Sequence, residues 1–351
     1  MFTCTHTLDE RAAAACRAHW DSIAKPLGSL GLLEDAVARI AGIRGDPEVR
    51  LEKRAVLAMC ADNGIVAEGV TQSGQEVTAL VAANMAKGIA NVNAMARVAR
   101  ADVFAVDVGI AGPVDAPGLI DRRVRCGTAN MAQGPAMTRA EAERAVQTGI
   151  DLVGELKAQG YDIIATGEMG IGNTSTSSAL VSVFLDQPVE AVTGRGAGLS
   201  GAGLRRKQEA IRRAIAVNRP DPSDAMDALF KVGGLDIAAL AGAFIGAAVH
   251  RVPVVIDGFI SAAAALSAVR ICPEAREFLL ASHVSGEPAG RMVLDALGLE
   301  APLHARMSLG EGTGAVALFP LLDMALAIYH QHSTFEKIHL EAYHRFGEED
   351  A

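Results

Sequence analysis

One carboxylate stands between two glycines in the segment SLGEGTGAVALFP, residues 308–320, directly before an apolar stretch of helical character. Because Gly310 and Gly312 carry no side-chain bulk, another molecule could approach Glu311 closely. A carboxylate also gains from the dipole at the N-terminus of the helix that follows. The segment alone therefore leaves two interpretations open, a reactive acid and a helix cap.

A second acid opens the segment GEMGIGNTSTSSAL, residues 167–180. Gly170 and Gly172 permit a tight backbone path, and the next polar residues can cap a helix whose free amides would bind an anion. These polar residues are Asn173, Thr174 and Ser175. Since Glu168 would repel a phosphate, we expect it to accept hydrogen bonds from hydroxyl groups such as those of a ribose. The alternative is an ordinary strand-to-helix turn.

A third glycine-rich segment, residues 196–201, contains the pattern G-x-G-x-x-G, which begins at Gly196. Alone, this pattern would indicate a dinucleotide fold, but the acid expected ~20 residues later has no counterpart. Asp221 and Asp224 lie in a proline-rich loop instead. Lys207, on the helix that follows the glycines, is a candidate phosphate ligand.

Two shorter segments add polar groups. IDGF places Asp257 at the end of a predicted strand, where an aspartate is as often a helix cap. SHVSGE offers Ser285 and Gly286 as hydrogen-bond donors to an anion. A Ser-His-Asp triad with His283 is not supported, because the G-x-S-x-G elbow is missing.

The elements that must position these residues follow from the apolar pattern. Short apolar runs alternate with amphipathic helices, which favours a parallel sheet covered on both faces. The best helix spans 138–159 and opens with a capping box of Thr138 and Glu141, and Thr7 and Glu10 show the same spacing at the first helix. The predicted strands are 55–62, 101–109, 161–168, 189–194, 252–258 and 277–283.

Nearly every predicted strand ends in glycine or polar residues. Ligands of open parallel sheets bind outside the carboxyl ends of the strands. The residues therefore predict one continuous site for a phosphorylated, ribose-like ligand with a carboxylate nearby. Such a site suits chemistry at an anomeric carbon, where carboxylates stabilise oxocarbenium character.

Composition narrows the class of protein. Half of the 351 residues are hydrophobic and only 4% are aromatic, which is typical of closely packed helices on a sheet. A net charge of −9 gives no electrostatic footprint for nucleic acid. The longest apolar run, 237–249, is too short to span a bilayer, and the N-terminus does not have the pattern of a secretory signal. We expect a cytoplasmic protein without a membrane partner.

Metal-ligand spacings are missing from the sequence. The nine histidines form no H-E-x-x-H pair, and the five cysteines are scattered without C-x-x-C. We therefore expect reduced thiols, no metal site and no cofactor.

Taken as a set, the motifs resemble the nicotinate-nucleotide–dimethylbenzimidazole phosphoribosyltransferase family, which makes the lower-ligand nucleotide of cobamides. The resemblance runs in the family's order from about residue 25 to 322 and includes several long segments. The matching segments are KPLGSLG, ADNGIVAEGV, GEMGIGNTSTSSAL, VGGLDIAALAGAFIGAA, PVVIDGFISAAAAL, SHVSGEPAG and LGEGTGAVALFPLL.

The resemblance implies an inverting, metal-independent transfer of 5-phosphoribose from nicotinate mononucleotide to a benzimidazole nitrogen. The products are α-ribazole 5′-phosphate and nicotinate. The family's general base corresponds to Glu311, Glu168 should lie near the ribose, and Asp257 should orient the site. The implied phosphate ligands are Lys207, Ser285 and Gly286. The implied contacts of the ribose and of the reacting rings are Met169, Gly170, Leu309 and Gly310, and Ser73 is implied in the acceptor pocket.

Three departures from the family pattern concern the acceptor. Asn63 replaces a histidine, Gly74 replaces a proline, and Val81 stands where a glutamine is expected near the acceptor base. Benzimidazole, another azole or a phenol could therefore replace 5,6-dimethylbenzimidazole. A nucleotide-binding homologue without turnover and, on the weaker glycine pattern, a dinucleotide-dependent oxidoreductase stay open as alternatives.

The family also implies an architecture. We expect a Rossmann-like parallel α/β domain over residues 46–321 and a small helical domain built from both termini, residues 1–45 plus 322–351. We further expect a homodimer. The apolar segment AALAGAFIGAA could be interface as readily as core.

Overall fold

Six parallel strands form the central sheet of the computed structural model, which describes residues 2, 4, 6–331 and 333–344. Their order across the sheet is β3-β2-β1-β4-β5-β6, so the direction in which successive strands are added to the sheet reverses between β1 and β4. This is the doubly wound arrangement expected from the sequence. The strands are β1 (Arg54–Ala61), β2 (Ala101–Gly109), β3 (Ile120–Asp121), β4 (Ile163–Met169), β5 (Val254–Ile256) and β6 (Leu279–Ala281).

Both faces of the sheet are covered, and β1 shows why its sequence is continuously apolar. All eight of its residues are buried. Leu57 and Met59 point into one hydrophobic cluster, whereas Val56 and Ala58 point into the cluster on the opposite face. A strand buried on both faces requires apolar residues at every position.

Helices fill the two layers. The 3₁₀ helices are Gly64–Glu68 and Pro273–Phe278. The α-helices are α1 (Glu10–Ser22), α2 (Leu32–Arg44), α3 (Glu76–Ala86), α4 (Asn91–Ala99), α5 (Arg139–Ala158), α6 (Asn173–Leu185), α7 (Val189–Val192), α8 (Gly201–Asn218), α9 (Ala225–Val232), α10 (Leu235–His250), α11 (Phe259–Ile271), α12 (Gly290–Leu297) and α13 (Thr313–Tyr329).

The apolar helix α10 belongs to the core of the chain itself, since it is buried from Leu235 to Ala248. It packs against α5 with backbones in near contact. A Cβ atom at Gly242 would lie 1.9 Å from the Val146 carbonyl oxygen, and one at Gly149 would lie 1.9 Å from that of Ala239. Only glycine permits this approach.

Helices α1, α2 and α13 share the second hydrophobic cluster with α3, α4 and one face of the sheet. The segments near the two termini meet at a bridge between Ile23 and Thr334, and the Phe335 amide donates to the Ser22 carbonyl at 3.1 Å. The predicted domain boundary at 321/322 falls inside α13, and the two-domain division stays a prediction. Residues 345–351 lie outside the described residues.

Several local predictions are wrong. The predicted strand 189–194 forms the helical turn α7, which begins directly after Pro188. Asp9 caps α1 through the amides of Arg11 and Ala12, in place of the predicted Thr7–Glu10 box. In the C-terminal part of the expected helical domain, residues 322–351, the described residues are α-helical only as far as Tyr329. The capping box of Thr138 and Glu141 at α5 is confirmed.

The prediction that all five cysteines are reduced is wrong for two of them. Cys4 and Cys272 form a disulfide, with Cα atoms 6.4 Å apart, whereas Cys16, Cys60 and Cys126 are free. Among the described residues, the one group of three metal-ligand side chains with ligand atoms within 4.8 Å consists of this pair and Glu274. Because the two sulfurs are bonded to each other, we assign no metal there. Within the described ranges, the helices are too short or too polar to cross a bilayer.

Candidate active site

A cavity of about 300 Å³ opens at the carboxyl edge of the sheet. Its walls come from the segment after β4, the loop after β5, the loop after β6 and the loop before α13. Most of the sequence-predicted site residues line it. They are Glu168, Met169, Gly170, Asn173, Thr174, Gly196, Asp257, Ser285, Leu309, Gly310 and Glu311.

The other predicted residues lie close by. Ser73, Gly172 and Lys207 line a smaller cavity of about 90 Å³, which shares Thr174 and several neighbours with the larger one. Gly286 lines neither of the two, and its amide donates to the Met307 carbonyl at 2.9 Å. Ser73 and Lys207 therefore line the same small cavity.

The Glu311 carboxylate points at the beginning of α4. The Val92 amide donates to Oε2 at 2.9 Å, and Asn91 Nδ2 donates to Oε1 at 2.9 Å. Glu311 is 8% exposed and still lines the cavity. Glu311 therefore does cap a helix. The capped helix is α4, which is distant in sequence, and not α13, which directly follows Glu311.

The backbone around Glu311 is strained. Its φ of 62° lies in the left-handed region, as do those of Gly310 and Gly312. A Cβ atom at Gly310 would lie 2.5 Å from Glu168 Oε1, so this glycine makes room for the second acid. A non-glycine residue in the left-handed region raises the conformational free energy by about 1–2 kcal/mol, and such strained residues are found at functional sites.

Glu168 lies at the end of β4 and is 7% exposed. Asn173 Nδ2 donates to its Oε2 at 2.5 Å. Burial raises the pKa of Glu168 to about 8, and the nearby Asp236 and Asp257 carboxylates act in the same direction. The carboxyl is therefore mostly protonated at neutral pH.

Asp257 forms the cap of α13. Its Oδ1 accepts from the Ala315 amide at 2.9 Å, and its Oδ2 accepts from the Gly312 amide at 3.3 Å. Burial raises the pKa of Asp257, while the neighbouring His283 opposes that shift. The aspartate therefore fixes the loop that carries Glu311.

Lys207 is almost completely buried at 1% exposure. Its Nζ donates to Thr174 Oγ1 at 2.8 Å and to the Gly194 carbonyl at 3.2 Å. Burial lowers the pKa of Lys207 to about 8, against the charge of Glu287. The ammonium has one further hydrogen for a ligand.

The departures from the family pattern are distributed unevenly. Val81 lines the larger cavity. Asn63 is buried, and its side chain lies against Gly170 and Gly234. A Cβ atom at Gly74 would meet only the end of the flexible Glu76 side chain, at 2.1 Å from Oε2, and Gly74 does not line the larger cavity. Of the three, Val81 is the one that faces the cavity.

Sequence reasoning missed four residues around the site. Asn91 and Val92 hold Glu311, Asp236 shares the Asn173 amide with Glu168, and His283 lines the cavity beside Asp257. Asn91 and Val92 begin a helix, but no local pattern links that helix to an acid 219 or 220 residues away. Asp236 stood in the quoted segment VGGLD without a partner to indicate its role.

The glycine pattern at residues 196–201 lies in a loop that ends at Ser200, the cap of α8. The element before it is the short helix α7 and not a strand. A dinucleotide fingerprint requires a strand, a tight turn and a helix. The context of this pattern is therefore wrong for a dinucleotide site.

Comparison with known proteins identifies the family. The phosphoribosyltransferase family DBI_PRT matches residues 5–339. The chain belongs to this family. Over 323 residues it is 49% identical to the nicotinate-nucleotide–dimethylbenzimidazole phosphoribosyltransferase of Ruminiclostridium cellulolyticum, with 92% of each chain covered. It is 46% identical to the protein of the same name from Clostridium acetobutylicum, with 96% of each chain covered.

Solved structures agree with the fold of this phosphoribosyltransferase. The crystal structure of CobT from Thermus thermophilus superposes with a TM-score of 0.89 at 42% identity. The match covers 94% of this chain and 99% of that one. The Rossmann-like sheet flanked by helices is therefore confirmed.

Proposed function

We propose that this chain transfers 5-phosphoribose from nicotinate mononucleotide to a ring nitrogen of a benzimidazole-type base, with 5,6-dimethylbenzimidazole as the first candidate. The observation that carries the proposal is one cavity bordered by two acids, Glu168 and Glu311, and joined through Thr174 to a buried lysine. The two relatives described above are named as enzymes that catalyse this reaction, which supports the proposal. The products are α-ribazole 5′-phosphate and nicotinate.

The donor's phosphate fits the polar end of the site. Lys207 and Ser285 are the proposed ligands, together with the first turn of α6, whereas the amide of Gly286, the third predicted ligand, already donates to the Met307 carbonyl. That turn follows Gly172 and begins at Asn173, so its amides favour an anion. Ser73 stays a predicted contact, and its place beside Lys207 favours this end of the site.

The chemical step needs a base on the acceptor side. The acceptor nitrogen forms a bond to C1′ of the ribose, and the bond between C1′ and the nicotinate nitrogen breaks with its electron pair on nicotinate. Glu311 takes the proton that the acceptor nitrogen loses. Asn91 and Val92 donate to its two oxygens and so fix its orientation, and each oxygen keeps a second lone pair for that proton. Attack from the face opposite nicotinate converts the β-linkage to α.

The remaining groups orient the reactants. Glu168 is placed to bond ribose hydroxyls and to stabilise positive charge at C1′ once it ionises. Asp257 acts through the loop that it caps. Met169 and Leu309 supply apolar surface for the rings, and Leu309 is 53% exposed.

Val81 in the cavity wall favours an apolar acceptor edge such as a methylated ring. A site without a polar partner discriminates poorly against similar bases, because one methyl group in an apolar pocket is worth about 1–3 kcal/mol. Benzimidazole, other azoles and phenols therefore belong in the assay.

Nicotinate release from nicotinate mononucleotide, measured with and without 5,6-dimethylbenzimidazole, tests the proposal. We expect acceptor-dependent release and an α-ribotide product on chromatography. Stoichiometric donor binding without release for any acceptor in the panel would support the non-catalytic alternative instead.

A homodimer is the proposed assembly. Exposed apolar side chains on the neighbouring helices α3, α4 and α13 support it, namely Leu80, Val98 and Met324. Light scattering of the purified protein measures the mass directly, and a monomer of 36.4 kDa would contradict the proposal. Location in the cytoplasm stays a prediction.

A further inference from the structure

A second buried carboxylate lies behind the wall of the cavity. Asp236, in the first turn of α10, has no exposed surface and does not line the cavity. Asn173 Nδ2 donates to Asp236 Oδ2 at 3.0 Å and to Glu168 Oε2 at 2.5 Å. The two hydrogens of one amide group therefore serve two acids, of which only Glu168 reaches the ligand cavity.

The surrounding backbone fixes Asp236 in place. A Cβ atom at Gly170 would lie 2.3 Å from Asp236 Oδ2 and 2.5 Å from the Ala61 carbonyl oxygen. A Cβ atom at Gly234 would lie 2.5 Å from Asp236 Oδ1. The backbone thus lies close to the carboxylate on two sides, near the ends of β1 and β4.

Glu168 and Asp236 have no cationic partner. Within the described part of the chain, no lysine, arginine or histidine forms an ion pair with either acid. Besides Asn173, the Ile237 amide donates to Asp236 Oδ1 at 3.0 Å, and the Asn63 side chain also favours the ionised form of Asp236. Two ionised carboxylates that share one neutral amide in a buried place repel each other.

The order of ionisation follows from burial. Burial raises the pKa of Asp236 to about 6 and that of Glu168 to about 8, so Asp236 carries its charge before Glu168 loses its proton. Other titratable groups face this pair from the surrounding elements. They are Cys60 on β1, Asp257 after β5 with its partner His283, and Glu311 before α13, whose backbone amide favours the ionised form of Glu168.

We propose that Asp236 is a positioning residue that acts through Asn173: it holds the Glu168 carboxyl against Gly310 and keeps a proton on it until a cationic ring enters the cavity. This inference rests on the proposed function, because the pyridinium ring of nicotinate mononucleotide is that cation. When the donor binds, its positive charge replaces the proton, which leaves Glu168 for the solvent. The ionised Glu168 then faces the carbon at which positive charge develops.

Proton release on donor binding tests the proposal directly. Calorimetric titration with nicotinate mononucleotide at pH 7, in buffers of different ionisation enthalpy, counts the released protons. We expect about one proton for the wild type, because Glu168 is mostly protonated before binding. In Asp236→Asn the repelling charge is gone, so Glu168 ionises at a lower pH and fewer protons should leave on donor binding.

A control variant separates this effect from general damage. Asp107→Asn makes the same charge change at another buried acid, 1% exposed, whose partner is Arg123 and not Asn173, and it should release protons like the wild type. Equal proton release from Asp236→Asn and the wild type would overturn the proposal.

A measurement without ligand separates this inference from the proposed function. Carboxyl-carbon NMR, with Glu168→Gln to assign the signal, follows the ionisation of Glu168 in the empty protein. We expect the midpoint of the Glu168 titration to lie at a lower pH in Asp236→Asn, and an unchanged midpoint overturns the inference even if catalysis is confirmed.

If that variant does not fold, the wild-type Asp236 signal should itself respond when Glu168 titrates, and independent titrations would overturn the inference. If the protein does not bind nicotinate mononucleotide, the proposed function is refuted. The NMR titration without ligand still shows whether the ionisation of Glu168 is coupled to Asp236.

Discussion

The Glu311 carboxylate lies 2.9 Å from the backbone nitrogen of Val92, at the beginning of a helix that is 219 residues away in sequence. The amide holds the carboxylate in one orientation, as a general base requires. One contact therefore connects a helix terminus with the acid that borders the ligand cavity. The same contact explains why Glu311 is ordered in spite of its left-handed backbone.

Glu311→Gln should abolish most turnover and leave the donor site intact. The amide is isosteric but cannot take a proton, and loss of a general base costs roughly 10²–10⁴ in rate. Steady-state rates and a separate titration with nicotinate mononucleotide measure the two effects. Turnover within threefold of the wild type would show that another group accepts the proton.

Asn91→Ala should lower turnover by roughly tenfold, because it removes the hydrogen bond to Glu311 Oε1. Arg97→Ala, at an exposed position on the same helix, is the matched control. The loss should be largest for weakly acidic acceptors, which depend most on the base. An equal loss for acidic phenols and for benzimidazole would indicate a structural effect only.

Asp257→Ala should lower both stability and rate. The variant leaves the amides of Gly312 and Ala315 without their acceptor, and loss of a helix cap costs about 0.5–2 kcal/mol. Urea unfolding measures the free-energy change, and kcat shows whether the Glu311 loop has loosened. A rate loss without a stability loss would assign Asp257 a direct contact with the substrate instead.

The sequence predicted the framework of the sheet because its strands are continuously apolar and end in glycine or polar residues. It failed at residues 189–194, where Pro188 starts a helical turn, and it missed β3, which has only two residues. A strand of two residues and a helical turn of four residues are both too short to show a hydrophobic period in the sequence.

The site was predictable where a residue stands at the end of a strand, as Glu168 does. It was not predictable where the role of a residue depends on a contact through space. Asn91 bonds an acid 220 residues away, and Asp236 bonds an amide 63 residues away. Nothing in the residues around either position specifies those partners.

Glu168→Gln should stabilise the protein at alkaline pH. The folded-state pKa of about 8 lies above that of an unfolded glutamate, so the folded protein binds more protons, and stability falls as the pH rises through this interval. The glutamine cannot ionise and does not incur this loss. We expect the Tm of the variant to exceed that of the wild type at pH 9 by roughly 5 °C, and the two to converge at pH 4. Parallel Tm curves across this range would contradict the assignment of a raised pKa.

Lys207→Met should weaken binding of the phosphorylated donor and remove its alkaline pH dependence. With a pKa near 8, the buried ammonium loses its charge just above neutral pH, so the KM of the wild type for nicotinate mononucleotide should rise above pH 8. The variant should show a KM that is already high and that does not rise above pH 8. A charge-assisted hydrogen bond to phosphate is worth about 1.5–3 kcal/mol, which corresponds to roughly 10- to 150-fold in affinity. Nicotinate riboside, which lacks the phosphate, is the control substrate, and its KM should be the same for both proteins. An equal loss for the riboside would mean that Lys207 supports the fold of the site and does not bind the phosphate.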